Sequence, residues 1–148
     1  MNYVSVNEVN LNTLYEINRQ LAVEENQANL FIADINDYAK GFIGPSPIAY
    51  GTLAYQDDKL IGFSICNYKF ATYLGHPALY IEDIYLKKDY CTETNKRDFL
   101  NYLITLGLEN GCSRIEMRVM RSTNWGTDLL KSLGFENIDK WSVYRLTK

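Results

Sequence analysis

Residues 2–7 alternate, with Val4 and Val6 set against Tyr3 and Ser5, which is the period of a half-buried strand. From Asn10 the period lengthens. Leu11, Leu14, Tyr15, Ile17 and Leu21 recur at three- and four-residue spacing and predict an amphipathic helix, with Asn10 or Asn12 as its N-cap. Leu30, Ile32, Ile35 and Tyr38 predict a second helix, stopped by the glycines and prolines between Gly41 and Pro47. Residues 48–56 and 59–70 read as two strands around an Asp57-Asp58 hairpin turn. Gly75 and Pro77 mark a loop, and residues 78–87 form the next strand. Phe99, Tyr102, Leu103 and Leu106 trace the buried face of a helix over 95–109, ended by Asn110-Gly111. Residues 113–120 alternate Ile115, Met117 and Val119 with Arg114, Glu116 and Arg118, a strand with one wet face. A last helix carries Leu129, Leu130 and Leu133, capped by Ser122, Thr123 or Asn124 and stopped at Gly134, and residues 141–146 predict a closing strand.

The predicted order is βαα-βββ-αβαβ. Strands gather in the middle and helices flank them, so the expected class is α+β. The central sheet is mixed, antiparallel in the hairpins and parallel where a helix makes the crossover. It is expected to hold about six or seven strands, and no composition shift divides the chain, so residues 1–148 are read as a single domain.

Composition changes this picture little. Apolar residues at 47% and charged ones at 22% fit a globular chain. A net charge of −3 argues against nucleic acid as the main partner. The N-terminus has no basic and apolar leader pattern, and no apolar run is long enough for a membrane span. The three cysteines, Cys66, Cys91 and Cys112, are not spaced as zinc ligands, and no metal site is expected. Cys66 and Cys112 lie among apolar neighbours and read as reduced core residues, which points to the cytoplasm.

The stretch from Leu79 to Phe99 carries the candidate chemistry. A strand holding two adjacent carboxylates, Glu82 and Asp83, runs into a polar turn and a helix start. A helix N-terminus offers unpaired N–H groups and the positive end of a dipole, so this is a place for an anion. In a regular strand Glu82 and Asp83 point to opposite faces. Taken alone, they fit a base and a cation-binding carboxylate as well as a salt-bridged or edge-exposed pair. His76 reads as a solvated loop residue, and Cys91 as a small loop residue or a thiol near a helix N-terminus.

The run Leu79-Tyr80-Ile81-Glu82-Asp83-Ile84-Tyr85-Leu86, followed by Asp89-Tyr90, resembles the GNAT acetyltransferase superfamily, and its spermidine/spermine-acetyltransferase-like branch in particular. Gly111-Cys112-Ser113 fits the same pattern. So do Asn124 with Leu130-Lys131-Ser132-Leu133-Gly134-Phe135, and the Gly-Phe-x-Gly-x-x-Pro run at Gly41. The resemblance implies a V-shaped splay between the strands at 78–87 and 113–120, with helices on both faces of the sheet. It implies an acetyl-CoA-dependent transfer to a primary amine, a polyamine or another small amine. Glu82 would then be the general base, and Asp83, Tyr80 and Tyr85 would hold the acceptor. Ile84, Tyr85 and Leu86 would line the pantetheine arm of acetyl-CoA. Thr92, Thr94, Asn95, Lys96 and Arg97 would meet the pyrophosphate, and Asn124 would order the cofactor-side helix. A homodimer is usual in that branch.

Two positions depart from the pattern. The pyrophosphate turn, usually Arg/Gln-x-x-Gly-x-Gly/Ala, falls on Cys91, Thr94 and Lys96 and contains no glycine. Glycines there allow positive φ and close backbone approach to phosphate oxygens. The tyrosine that protonates the leaving thiolate falls on Leu130, which has no proton to give, and Tyr144 and Tyr90 are the candidate substitutes. A GNAT-fold binding module that has lost the cofactor is therefore the alternative, and an unrelated α+β domain with the same element order is a third reading.

Overall fold

The computed structural model describes residues 1–119, 125–140 and 142–147. They fall into two compact units, Met1–Arg118 and Val119–Lys148. The first holds a sheet of five strands: β1 (Asn2–Ser5), β2 (Tyr50–Gln56), β3 (Lys59–Ala71), β4 (His76–Leu86) and β5 (Arg114–Met117). The strands lie in sequence order. Every pairing is antiparallel except β4 with β5, which is parallel across the crossover helix α3 (Glu93–Glu109).

Among the described residues the expected count of six or seven strands is corrected to five. The missing one is the predicted closing strand. Residues 142–147 are exposed and form no strand, and Trp141 lies outside the described residues. Alternation over so short a run marks only the ability to pair, and an edge partner decides whether pairing occurs.

Helix α1 (Leu11–Glu24) begins where the period changed. Asn10 holds the N-cap position without a side-chain cap bond. Its Oδ1 accepts from the Asn7 N–H at 2.7 Å, and its amide donates to the Ser5 carbonyl at 3.1 Å. The second predicted helix is shorter than its apolar pattern. Helix α2 runs Ile35–Phe42, preceded by a 3-10 turn at Ala28–Leu30. Leu30 and Ile32 are exposed. The start is set by Asp34, whose side chain accepts from the Asn36 and Asp37 N–H groups while Asp37 bonds back to the Asp34 N–H, a capping box.

Together α1 and α2 cover one face of the sheet. Leu11, Leu14, Ile17 and Tyr38 pack there with Leu53, Phe63, Ile65 and Tyr85. Helix α3 covers the other face, where Tyr3 of β1 stacks on Phe99 and Tyr102 at ring-centroid distances of 5.2 and 4.1 Å. Helices on both faces were expected, and both are present.

The Asp57-Asp58 turn is a two-residue hairpin with both residues at positive φ, 49° and 60°. Gly111 closes α3 at φ +74°.

In the second unit, helix α4 spans Thr127–Ser132 with Gly126 at its N-cap. The predicted caps Ser122, Thr123 and Asn124 lie outside the described residues, and the helix begins after them. Gly134 ends it at φ +86°, as the sequence implied.

Candidate active site

Strand β4 is built from β-branched, aromatic and leucine residues suited to a buried strand. Its register against β3 slips once. Cys66 faces Ile81 and Ile65 faces Asp83, so Glu82 is an extra residue with no partner across the ladder. This is a β-bulge, and it resets the alternation of side chains. Leu79 approaches Gly107 of α3, whereas Tyr85 packs in the cluster under α1 and α2. The strict alternation that would send Glu82 and Asp83 to opposite faces is interrupted between them.

The other edge of β4 opens at the same point. Pairing with β5 covers Ala78–Ile81 against Arg114–Met117 and stops there, while β4 continues to Leu86. Among the described residues, the run from Glu82 to Leu86 therefore has no strand on its β5 side. Two carboxylates, Glu82 and Asp83, stand where the pairing with β5 ends.

Every predicted site residue except Asn124 has a definite place. Glu82 accepts a hydrogen bond from the Arg118 guanidinium, the first residue after β5. Asp83 lies on the α1/α2 side, and its carboxyl is pushed up to about 6, chiefly by burial and then by the Glu82 and Glu25 charges, with Arg118 opposing. Tyr80 is half-buried, and the Lys69 ammonium stands 3.5 Å from its ring centroid. Tyr85 is buried. Its ring packs on Phe63, and its hydroxyl donates to Glu24 Oε1 at 2.7 Å. Ile84 and Leu86 lie on the part of β4 that pairs with β3 but not with β5.

The turn toward α3 is organised by its own residues. Thr92 is the N-cap and accepts from the Asn95 N–H at 3.2 Å. Asn95 turns its side-chain amide back to the Tyr90 carbonyl at 2.9 Å and Gln56 Oε1 at 3.4 Å. Arg97 pairs with Glu93 one turn earlier at 3.4 Å. Thr94 is exposed and Lys96 half-buried. No residue from Lys87 to Lys96 has positive φ. An αR-αL backbone nest needs such a residue, so the turn does not form one of that kind.

Asn124 lies outside the described residues. Within the second unit Leu130 is on α4, and Tyr144 is almost fully exposed at 92%.

Sequence reasoning missed Arg118, Glu24 and Glu25. Arg118 reads as one more polar position on a wet strand face. Its contact with Glu82 depends on the parallel register of β5, which no local pattern encodes. Glu24 and Glu25 lie at and just beyond the end of α1, more than fifty residues from β4 in sequence.

No protein-family profile matches the chain. A thialysine N-epsilon-acetyltransferase of Bos taurus is 25% identical over 93 residues, 61% of this chain and 54% of that protein. The chain thus spans about half the length of this curated relative. Among solved structures, an aminoglycoside acetyltransferase from an uncultured soil metagenomic sample, in complex with sisomicin, superposes with a TM-score of 0.80. It is 16% identical over 99% of this chain and 96% of its own. An aminoglycoside N-acetyltransferase in complex with CoA gives a TM-score of 0.66 at 17% identity, over 99% of this chain and all of its own, 100%. At these identities the likeness shows the fold alone: the α+β fold of this chain, with its mixed five-stranded sheet, is shared with these acetyltransferase structures.

Proposed function

We propose that this chain is an N-acyltransferase that moves an acetyl group from acetyl-CoA to a primary amine, a polyamine or another small amine. The observation that carries the reading is the opening of β4 at Glu82, where a free strand edge and two carboxylates coincide. The donor's pantetheine amides would pair with the backbone of Ile84, Tyr85 and Leu86. The amine, held at Asp83, Tyr80 and Tyr85, would lose a proton to Glu82, directly or through water. Its nitrogen then attacks the thioester carbonyl. The C–N bond forms, the C–S bond breaks, and the thiolate leaves, taking its proton from solvent or a residue other than Leu130. Thiols are good leaving groups, so the missing tyrosine slows the step without forbidding it. Thr92, Thr94, Asn95, Lys96 and Arg97 would contact the diphosphate from side chains and helix N–H groups rather than from a nest, with Asn124 supporting the cofactor side. Support also comes from the shared fold and from the acetyltransferase that matches over about half its length. A cytoplasmic setting and a homodimer belong to the same proposal, and light scattering tests the latter.

The test is thiol release from acetyl-CoA in the presence of spermidine or another small amine, together with calorimetry of acetyl-CoA binding. Amine-dependent thiol release supports the reading. No binding at millimolar acetyl-CoA ends it.

A second reading, a GNAT-fold binding module without turnover, is favoured by the nest-free turn. Replacing Cys91, Thr94 and Lys96 with Arg, Gly and Gly separates the two. A parent that binds no acetyl-CoA and a variant that does identify a lapsed enzyme, whereas turnover by the parent removes the binding-module reading.

A further inference from the structure

Arg118 follows directly on Met117, the last residue of β5 paired with β4, and its guanidinium donates to Glu82. Glu82 is the carboxylate that the proposed reaction assigns to the incoming amine, so this inference rests on that reading. A guanidinium and an ammonium are both donor-only cations and compete for the same carboxylate oxygens. The pair stands at the mouth of the gap rather than in the core. Its side chains are 45% and 36% exposed, so water and salt screen it and it can exchange. Arg118 also acts on Asp83, where it offsets the Glu82 and Glu25 charges. Tyr80 shows the same arrangement beside it, with Lys69 already on its ring.

We propose that Arg118 is an internal counter-cation that occupies the acceptor's place on Glu82 and is displaced when a cationic amine binds, which makes it a specificity-determining residue. Exchanging one cation for another on Glu82 gains little by itself. A monoamine makes that exchange and leaves Arg118 without its partner. A diamine makes the same exchange and also brings a second ammonium to Asp83. Arg118 also places positive charge at Asp83, so the resting pair weighs on acceptors with two cationic groups at least as much as on those with one.

Two measurements test this. In steady-state kinetics with acetyl-CoA, Arg118→Gln is expected to lower KM for n-butylamine by about two- to fivefold, the range a half-exposed ion pair supports. The effect on putrescine is as large or larger, because its second ammonium is also relieved of the Arg118 charge near Asp83, so the preference for the diamine is kept or widens. Arg118→Lys, which keeps the charge, retains the parent preference. An unchanged or raised KM for both amines in Arg118→Gln overturns the proposal. The second measurement needs no turnover. The nitrogen-15 signal of the Arg118 Nε–H group is followed in the wild-type protein as putrescine is added. The expected result is a saturable shift that Glu82→Gln abolishes. A signal that stays fixed at tens of millimolar putrescine overturns the displacement whether or not acetyl transfer occurs. A saturable shift without any acetyl transfer supports the displacement and removes only the proposed reaction.

Discussion

Asp83 is where electrostatics and stability meet. Its carboxyl is raised from 3.8 to about 6, first by burial and then by Glu82. The sign follows from linkage. Between these two values the folded protein binds a proton that the unfolded chain has released, so stability falls as pH rises from about 4 through about 6 and is level above that. Asp83→Asn removes the charge. It is expected to stabilise the protein by about 1–3 kcal/mol at pH 7.5 and to leave it nearly unchanged at pH 4. Thermal melts of both proteins across that interval check it, and a variant gain that persists undiminished at pH 4 contradicts the burial account. Glu82 makes a different prediction. Glu82→Gln keeps the shape and a hydrogen-bond acceptor but loses the base. It should lower kcat by about 10²- to 10⁴-fold with a smaller change in acetyl-CoA binding. An unaffected kcat would move the base elsewhere.

At the scale of elements, β4 depends on its neighbour. Gly62 of β3 stands opposite Leu86 of β4, and a Cβ there would run into the Tyr85 carbonyl and the Leu86 side chain. Backbone cannot yield as a flexible side chain does. Gly62→Ala is therefore expected to destabilise by about 2 kcal/mol or more, read as a lower urea midpoint with an unchanged slope. The turn before α3 predicts a weak dependence on the nucleotide end of the donor. With no nest for the diphosphate, acetyl-CoA should surpass acetyl-pantetheine in kcat/KM by less than about tenfold, the worth of roughly one charge-assisted hydrogen bond. A ratio in the thousands would show that the turn binds diphosphate by another route.

The same elements show what a sequence carries. The β4 strand, its carboxylates and the α3 stop at Gly111 were legible because each rests on local pattern or turn chemistry. The start of α2 was not, since the Asp34 capping box overrode the apolar spacing that began at Leu30. The bulge at Glu82 was not legible either. An extra residue in one strand is defined only against its partner, and so is the Arg118 contact that follows from it.

At the largest scale, the fold of the first unit joins distant parts of the chain through side-chain contacts. The end of α1 reaches β4 through Glu24 and Tyr85, β5 reaches it through Arg118, and β2 reaches the start of α3 through Gln56 and Asn95. The overall class and the order of elements followed from periodicity. The closing strand did not, because its short alternating run required an edge to pair with. The account's central claim is acetyl transfer at the opening of β4. Its most direct test is mass spectrometry of amine products after incubation with carbon-13-labelled acetyl-CoA and a panel of mono-, di- and polyamines, with Glu82→Gln run in parallel. The account predicts a labelled N-acetyl product from at least one diamine or polyamine, strongly reduced in Glu82→Gln. No labelled product from any amine, or equal product from the parent and Glu82→Gln, would contradict it.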